Sequence, residues 1–444
     1  MQYVSTRNGV APTSLSETIV SGAAPDGGLF VPVQLPRSLP VLGREPRSLA
    51  DSARLVLAPF FAGDALEPHL EAICREAFAF EAPLVPLGTS TDFALELFHG
   101  PTASFKDFGA RFLAACLRRT DGGHLLPLTV LVATSGDTGS AVAAAFHRAP
   151  GVHVVLLYPD GRVSPRQAHQ LGCFGDNVTA LRVAASFDEC QQAVKSAFAD
   201  ERIRERLRLT SANSISLGRL LPQMVLHAHA AWSCKGALNL IVPTGNLGDA
   251  LAAVWAREVG APIGDILLAT NANRVLADFF GGGDFTPRPS VATLATAMDV
   301  GAPSNFERLR WTFPDDATLR SRLGAVSVDD EEIRETIKEG ERRHGRVFCP
   351  HTATAVRVLE GRRASGDGRT WAVVATAHPA KFETVVEPLV GHAVEIPDSL
   401  AALLARPAHA RDLSDASLLS GWLLDWVDQA EAGLRTGRAR DENS

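Results

Sequence analysis

The stretch HGPTASFKDFGARF, His99 to Phe112, sets Lys106 between Phe105 and Asp107 where an apolar helical pattern begins. The chain holds only five lysines, Lys106, Lys195, Lys235, Lys338 and Lys381, so chemistry that needs a primary amine has five candidates. Ser104 followed three residues later by Asp107 is a capping-box-like pair, which predicts a helix start at Ser104. Lys106 then lies in the first turn. There the positive end of the helix dipole and burial beside Phe105 and Phe108 both disfavour an ammonium and lower the amine's pKa. A neutral amine is what a Schiff base with a carbonyl requires. The plainer reading is a lysine snorkelling from a surface helix.

Two further stretches stand where a strand hands over to a helix, the place where open α/β sheets bind ligands. In VATSGDTGSAVAAAF, Ser135, Gly136, Asp137, Thr138, Gly139 and Ser140 follow a strand ending at Ala133. Small residues and hydroxyls at a helix start leave backbone N–H groups free for a carboxylate or a phosphate. In IVPTGNLGDALAA, Gly245, Asn246, Leu247, Gly248 and Asp249 open another helix. Its two glycines let the backbone approach a phosphate closely. Either stretch could instead be a plain capped turn. Neither a Gly-Lys-Ser/Thr phosphate loop nor the dinucleotide fingerprint G-x-G-x-x-G is present, which disfavours a nicotinamide oxidoreductase. One desolvated lysine together with a Gly-rich phosphate cradle points to pyridoxal phosphate, its aldehyde on the lysine and its phosphate on the loop.

The elements that must position these residues are legible as alternating apolar runs and Ala-rich helical stretches. LTVLVA precedes AVAAAFHR, VHVVLLYP precedes SPRQAHQL, LNLIVP precedes GDALAAVWAREVG, and DILLAT precedes NRVLADFF. This pattern predicts mostly parallel sheets covered by helices, an α/β fold. TWAVVATA, Thr370 to Ala377, reads as a further buried strand, and HAVEIP near the end as another. The expected organisation is an N-terminal unit over 1–90, a first α/β domain over 91–235, a second over 236–433 and a solvated tail over 434–444. Within the second domain, the Gly- and Pro-rich segment Gly281 to Arg308 reads as a long functional loop over the sheet edge.

The 444 residues carry a net charge of -7 and no strong basic run, which argues against a nucleic-acid groove. No secretory signal or membrane anchor is visible at the start, so a cytoplasmic protein is expected. Six scattered cysteines, with no C-x-x-C pair and no histidine at ligand spacing, read as free thiols rather than a metal site.

The chain resembles the threonine synthases, fold-type II pyridoxal-phosphate enzymes of the tryptophan synthase β group. The resemblance runs collinearly through YVSTRN, APDGGLFVP, HGPTASFKDFGARF, ATSGDTGSA, YPDGRVSP, SFDECQ, SANSISLGRLLPQ, VPTGNLGDALA, ATNANRVL, PSNFERL, CPHTATAV and ATAHPAKFET. It implies two doubly wound, mostly parallel sheet domains beside the N-terminal unit. It also implies that Lys106 forms the Schiff base, that Gly245 to Asp249 hold the cofactor phosphate, and that Thr352, or less directly Thr354, faces the pyridine nitrogen. Ser135, Asp137 and Thr138 would grip the substrate's α-carboxylate. The substrate phosphate points to Arg162, with Arg111, Asn213, Ser214, Asn305 and Arg308 as further candidates. His378 and Lys381 could approach the site or serve structure.

The family's reaction converts O-phospho-L-homoserine and water to L-threonine and phosphate, by γ-elimination and then addition of water at Cβ. The expected partner is thus a small phosphorylated amino acid, with the protein a monomer or homodimer. SANSISLGRL has Ser216 and Leu217 where the family usually has Asn and a bulky residue. A paralogue acting on another γ-activated amino acid, a serine/threonine dehydratase and a non-catalytic B6-binding homologue stay open.

Overall fold

The computed structural model describes residues 1–36, 39, 48–120 and 126–428. The expected tail over 434–444 lies outside them. Thirteen strands run in chain order as β1 (Tyr3–Ser5), β2 (Phe30–Pro32), β3 (Leu84–Pro86), β4 (Asp92–Glu96), β5 (Leu128–Ala133), β6 (Val152–Pro159), β7 (Val178–Val183), β8 (Arg208–Ser211), β9 (Leu238–Pro243), β10 (Ile263–Thr270), β11 (Leu323–Ser327), β12 (Trp371–Ala375) and β13 (Arg411–Leu413). One sheet has the order β13-β7-β6-β5-β8 and is parallel throughout. A larger one has the order β11-β10-β9-β12-β4-β3, parallel except where β3 meets β4. The continuous burial of β5, β9 and β12 is that of strands covered on both faces, as their unbroken apolar runs require.

The sheets do not divide where the chain does. β4, inside the 91–235 stretch, adds to the large sheet, where Trp371 to Ala375 register against Asp92 to Glu96. β13, late in the chain, registers against Leu181 to Val183 in the other sheet. The exchange puts the loop after β4, which leads to Lys106, at the junction of the two sheets. HAVEIP forms no strand; residues 393–397 are irregular and lead into the helix Asp398–Leu404. Its valine is buried at Val394 without a ladder to join.

The N-terminal unit pairs β1 with β2 antiparallel, and the Tyr3 hydroxyl donates to the Phe60 carbonyl at 2.7 Å at the end of the helix Leu49–Phe61. It is also tied to the helix Phe306–Thr312. The Thr6 hydroxyl donates to Glu307, and Arg7 pairs with the same carboxylate at 3.2 Å. The segment Gly281 to Arg308 is irregular except for a short turn at Thr296–Met298 and the start of the helix Phe306–Thr312. It is tied down by Asp299, which accepts from the Thr293 hydroxyl at 2.6 Å, from Asn271 at 2.7 Å and from Asn273 at 3.2 Å.

Candidate active site

The helix that carries Lys106 runs from Lys106 to Thr120, two residues later than the capping pattern predicts. The Ser104 hydroxyl is buried without a partner, and the Asp107 carboxylate turns back to accept from the Thr102 N–H at 2.9 Å and hydroxyl at 2.7 Å. Ser104 is held instead by a bridge to Ala377, and the Phe105 N–H donates to the Thr376 carbonyl at 2.8 Å. Pairing with the end of β12 therefore takes the place of a cap. Just before it Ala103 has φ +55°, a left-handed conformation that costs on the order of 1 kcal/mol for a residue with a Cβ.

Lys106 is half-buried, with its Nζ 4.3 Å from the centre of the Phe105 ring. Burial, and then the Arg219 guanidinium, lower its pKa to about 8; Asp137 and Asp249 pull the other way, and Lys381 adds to the lowering. These neighbours come from four elements. Asp137 opens the helix Asp137–Phe146, and Asp249 stands second in Gly248–Glu258. Arg219 belongs to Leu217–Trp232 and Lys381 to the turn Pro379–Phe382. The three features found in the sequence thus meet around one amine.

Both ligand-loop helices begin without a side-chain cap. Gly136, at φ +122°, precedes one and Leu247, at φ +62°, precedes the other, and neither helix start receives a hydrogen bond from its cap residue's side chain. Elsewhere Ser164 and Ser186 close helix starts with their own hydroxyls. The first N–H groups of a helix have no intrahelical acceptor; the Gly139 N–H is taken by Thr134 Oγ1 at 2.8 Å, and the N–H groups of Asp137 and Thr138 in one helix and of Gly248 and Asp249 in the other are left for an anion. A Cβ built on Gly248 would meet nothing nearer than Ser214 Cβ at 3.6 Å, an ordinary van der Waals contact that clashes with nothing in the protein. Gly245 differs: a Cβ there would stand 2.7 Å from the Met298 Cα, so this glycine lets the 281–305 segment cross the loop.

The loop is braced by a chain of hydrogen bonds. Asn246 Nδ2 donates to Ser214 Oγ at 2.7 Å, and Asn305 Nδ2 donates to the Asn246 carbonyl at 3.0 Å and the Ser214 carbonyl at 3.3 Å. Asn305 Oδ1 accepts from Arg308 Nη1 at 2.8 Å. Arg308 is fully buried, its Nε and Nη2 donating to the Phe30 carbonyl at 3.0 Å and the Ile215 carbonyl at 2.7 Å. The guanidinium is spent on protein oxygens, which removes Arg308 from the candidates for substrate phosphate. Arg111 leaves with it, because its Nε and Nη2 both donate to the Glu76 carbonyl in the N-terminal helices. Arg162 is exposed on the loop after β6 and forms no ion pair among the described residues.

Ser135 and Thr138 are half-buried, and their hydroxyls make no hydrogen bond among the described residues. Asn213 Nδ2 donates to the Ala133 carbonyl at 3.0 Å, while its Oδ1 is buried without a partner. Asp137 is buried and already occupied: Oδ1 accepts from Lys381 Nζ at 2.8 Å and Gln167 Nε2 at 2.9 Å. Burial raises its pKa, but the Lys381 ammonium outweighs that and holds it below the usual carboxylate range. Asp249 Oδ1 lies 2.9 Å from His227 Nε2, with Oδ2 unpartnered.

Thr352 is buried near the start of the helix Pro350–Ala364, its hydroxyl 3.2 Å from Cys349 Sγ. The Thr354 hydroxyl donates to the His351 carbonyl at 2.6 Å inside the same helix, which leaves Thr352 the better hydroxyl for a ring nitrogen. Thr352 also lines a cavity of about 700 Å³ with Phe98, His99, Cys349 and His378, apart from Lys106 and both loops. His378 caps its own turn through Nδ1, which accepts from the Ala380 N–H at 3.2 Å.

Arg219, His351 and Gln167 belong to the site without a sequence signal of their own. His351 Nε2 accepts from the Ala297 N–H at 3.0 Å, and its Nδ1 is buried without a partner. Burial holds its pKa down at about 4, so the ring is neutral at ordinary pH. The only pointers were the motif blocks in which these residues sit, SLGRL, CPHTA and SPRQA. Among the described residues there is no group of histidine, cysteine or acidic side chains placed to hold a metal. None of their helices is long and apolar enough to cross a membrane.

An amine near pKa 8, helix starts without side-chain caps on two sides and a buried threonine hydroxyl suit a phosphorylated aldehyde cofactor. Comparison with known proteins agrees. Residues 82–377 match the pyridoxal-phosphate-dependent enzyme family, residues 2–78 the threonine synthase N terminus and residues 352–420 the threonine synthase C-terminal region. The threonine synthase of Escherichia coli K12 is 37% identical over 90% of this chain and 94% of its own. The crystal structure of threonine synthase from Escherichia coli superposes with a TM-score of 0.87, covering 96% of this chain and all of that one at 35% identity. That of pyridoxal-phosphate-bound threonine synthase from Brucella melitensis gives 0.85 at 32% identity, covering 95% and 98%. With these matches spanning nearly its whole length, the chain belongs to the threonine synthase family of pyridoxal-phosphate-dependent enzymes.

Proposed function

We propose that the protein converts O-phospho-L-homoserine and water to L-threonine and phosphate, with Lys106 as the amine that carries the cofactor and moves the protons. The convergence of Asp137, Asp249, Arg219 and Lys381 on that single amine carries this reading. When bound, pyridoxal phosphate supplies an electron sink for the charge left at the substrate Cα.

The chain's own residues do the rest. The N–H groups of Gly245 to Asp249 would hold the cofactor phosphate, and the Thr352 hydroxyl would meet the ring nitrogen. A hydroxyl, unlike a carboxylate, does not force that nitrogen to stay protonated. Ser135, Thr138 and the N–H groups beside Asp137 receive the substrate carboxylate. Arg162, Asn213 and Ser214 face the substrate phosphate. Lys106 Nζ, its pKa lowered to about 8 and so more readily neutral than an ordinary lysine, takes the proton from Cα and serves as acid and base at Cβ and Cγ while phosphate leaves and water adds.

We take the main bodies of the domains as 1–90, 91–235 and 236–433, with β4 and β13 exchanged between the two sheets. A cytoplasmic location and a monomeric or homodimeric state belong to the same proposal. All six cysteines are free, five of them buried, which suits a reducing compartment.

Phosphorus and proton NMR of the cofactor-loaded protein with O-phospho-L-homoserine tests the reaction. Phosphate and threonine should appear together and in equal amounts. A change in the cofactor spectrum without either product would move the substrate to another γ-substituted amino acid.

A further inference from the structure

Lys381 is fully buried, and its Nζ donates to two oxygens that belong to different parts of the site. One is the Thr102 carbonyl at 2.7 Å, four residues ahead of Lys106; the other is Asp137 Oδ1 at 2.8 Å, at the head of the loop read above as the carboxylate site. The turn that carries Lys381 follows β12 of the large sheet yet docks on the other one. Ser164 Oγ donates to the Lys381 carbonyl at 2.5 Å, Arg166 Nη1 to the Ala380 carbonyl at 2.7 Å, and the Arg166 N–H to Glu383 Oε1 at 2.9 Å. Gln170 Nε2 adds a bond to the Thr102 carbonyl at 3.2 Å. Three segments therefore meet at one ammonium.

A buried ion pair is poor evidence for stability, since an apolar pair of similar volume often does as well. What the pair does for charge is specific. Asp137 puts a desolvated carboxylate beside the N–H groups that are to receive the carboxylate of an amino acid, and two like charges brought together there repel by several kcal/mol. With Lys381 on its Oδ1, Asp137 is neutralised and turned inward, and the helix start keeps its positive field. We infer that Lys381 is a positioning residue for substrate recognition: it bolts the carboxylate-binding loop to the Lys106 segment and cancels the charge of Asp137. Asp137 is thereby the anchor of Lys381 and not a substrate contact. This rests on the assignment of the loop to the substrate carboxylate.

The test compares L-norvaline with butylamine, the same chain without its carboxylate, each titrated into the cofactor-loaded protein and followed by the cofactor's visible spectrum. Wild type should bind norvaline more tightly than butylamine; equal affinities would remove the carboxylate assignment itself, whatever Lys381 does. Given that preference, Lys381→Met should weaken norvaline by about tenfold or more, one such factor for each 1.4 kcal/mol of repulsion, and leave butylamine unchanged. The double variant Lys381→Met/Asp137→Asn should recover norvaline binding. If Lys381→Met does not fold, Asp137→Asn decides: it keeps the preference for norvaline if Asp137 is an anchor. Unchanged norvaline binding in Lys381→Met, equal weakening of both ligands, no recovery in the double variant, or loss of the preference in Asp137→Asn would each overturn the proposal.

Discussion

Arg219 crosses the Lys106 helix at Gly109 so closely that a Cβ there would stand 2.9 Å from the arginine Nε and 3.1 Å from its carbonyl oxygen. The guanidinium is buried, donates from Nη1 to the Ala212 carbonyl at 2.5 Å, and leaves Nε unpartnered. Gly109, one turn past Lys106, is thus the notch that admits a positive charge to the amine. Gly109→Ala should cost about 1–3 kcal/mol in urea unfolding, as overpacking does. Moving the guanidinium away should also let the amine hold its proton to higher pH, because a positive neighbour disfavours the charged form. Acylation of Lys106 in cofactor-free protein, followed by mass spectrometry against pH, should show a midpoint near 8 in wild type and a higher one in the variant. The other charged or titratable groups around the amine, Asp137, Asp249, Lys381 and His351, are untouched.

Lys106→Ala tests the amine itself. The variant should lose the lysine-dependent visible band of the cofactor and nearly all turnover, while its cofactor-free fold unfolds at about the wild-type urea concentration. A linkage that borohydride still reduces onto the protein would place the reactive lysine elsewhere. Lys381 would then be the nearest alternative amine.

The sequence made the ligand loops readable because their signal is local. LTVLVA, VHVVLLYP and LNLIVP are strands from end to end, since an unbroken apolar run between turn residues has few other places to go. The turns SGDTG and GNLGD that follow two of these strands were legible as helix starts for the same reason. The start of the Lys106 helix was not, because Ser104 pairs with Ala377, a partner 273 positions away that no window on the sequence contains. β4 joining β12 and β13 joining β7 are likewise pairings across the chain, invisible to periodicity. Arg308 read as a phosphate ligand because an arginine's type says nothing about which oxygens it meets. Its partners, Phe30, Ile215 and Asn305, come from three separate segments.

Gly245 and Gly248 should separate packing from cofactor binding. A Cβ on Gly245 strikes the Met298 backbone, so Gly245→Ala should cost about 1–3 kcal/mol even without cofactor. Gly248 begins a helix and has room, so Gly248→Ala should leave the cofactor-free protein as stable or up to about 1 kcal/mol more so, as removing a helical glycine does. Its pyridoxal-phosphate affinity should nonetheless fall, and Gly248→Val should lower it further. Unaltered affinity in both variants would return the loop to an ordinary strand-to-helix turn.

Arg308 offers the sharpest contrast between holding the protein and holding the substrate. Its guanidinium satisfies the Phe30 and Ile215 carbonyls and Asn305 Oδ1, and Asn305 in turn holds the Asn246 and Ser214 carbonyls. Arg308→Ala strands the buried Phe30 carbonyl and Asn305 Oδ1, each costing about 1–3 kcal/mol, and the half-buried Ile215 carbonyl, so a loss on the order of 2 kcal/mol or more is expected in urea unfolding. Arg308→Lys should recover little, because one ammonium cannot span acceptors arranged for a planar fork. Because the brace ends at Asn246, cofactor affinity should drop along with stability. A phosphate ligand would behave in the opposite way, raising KM for the phosphorylated substrate while stability stayed put. With cofactor saturating and temperature low enough to keep Arg308→Lys folded, KM should stay near the wild-type value, and a large rise there would put Arg308 back among the substrate's contacts.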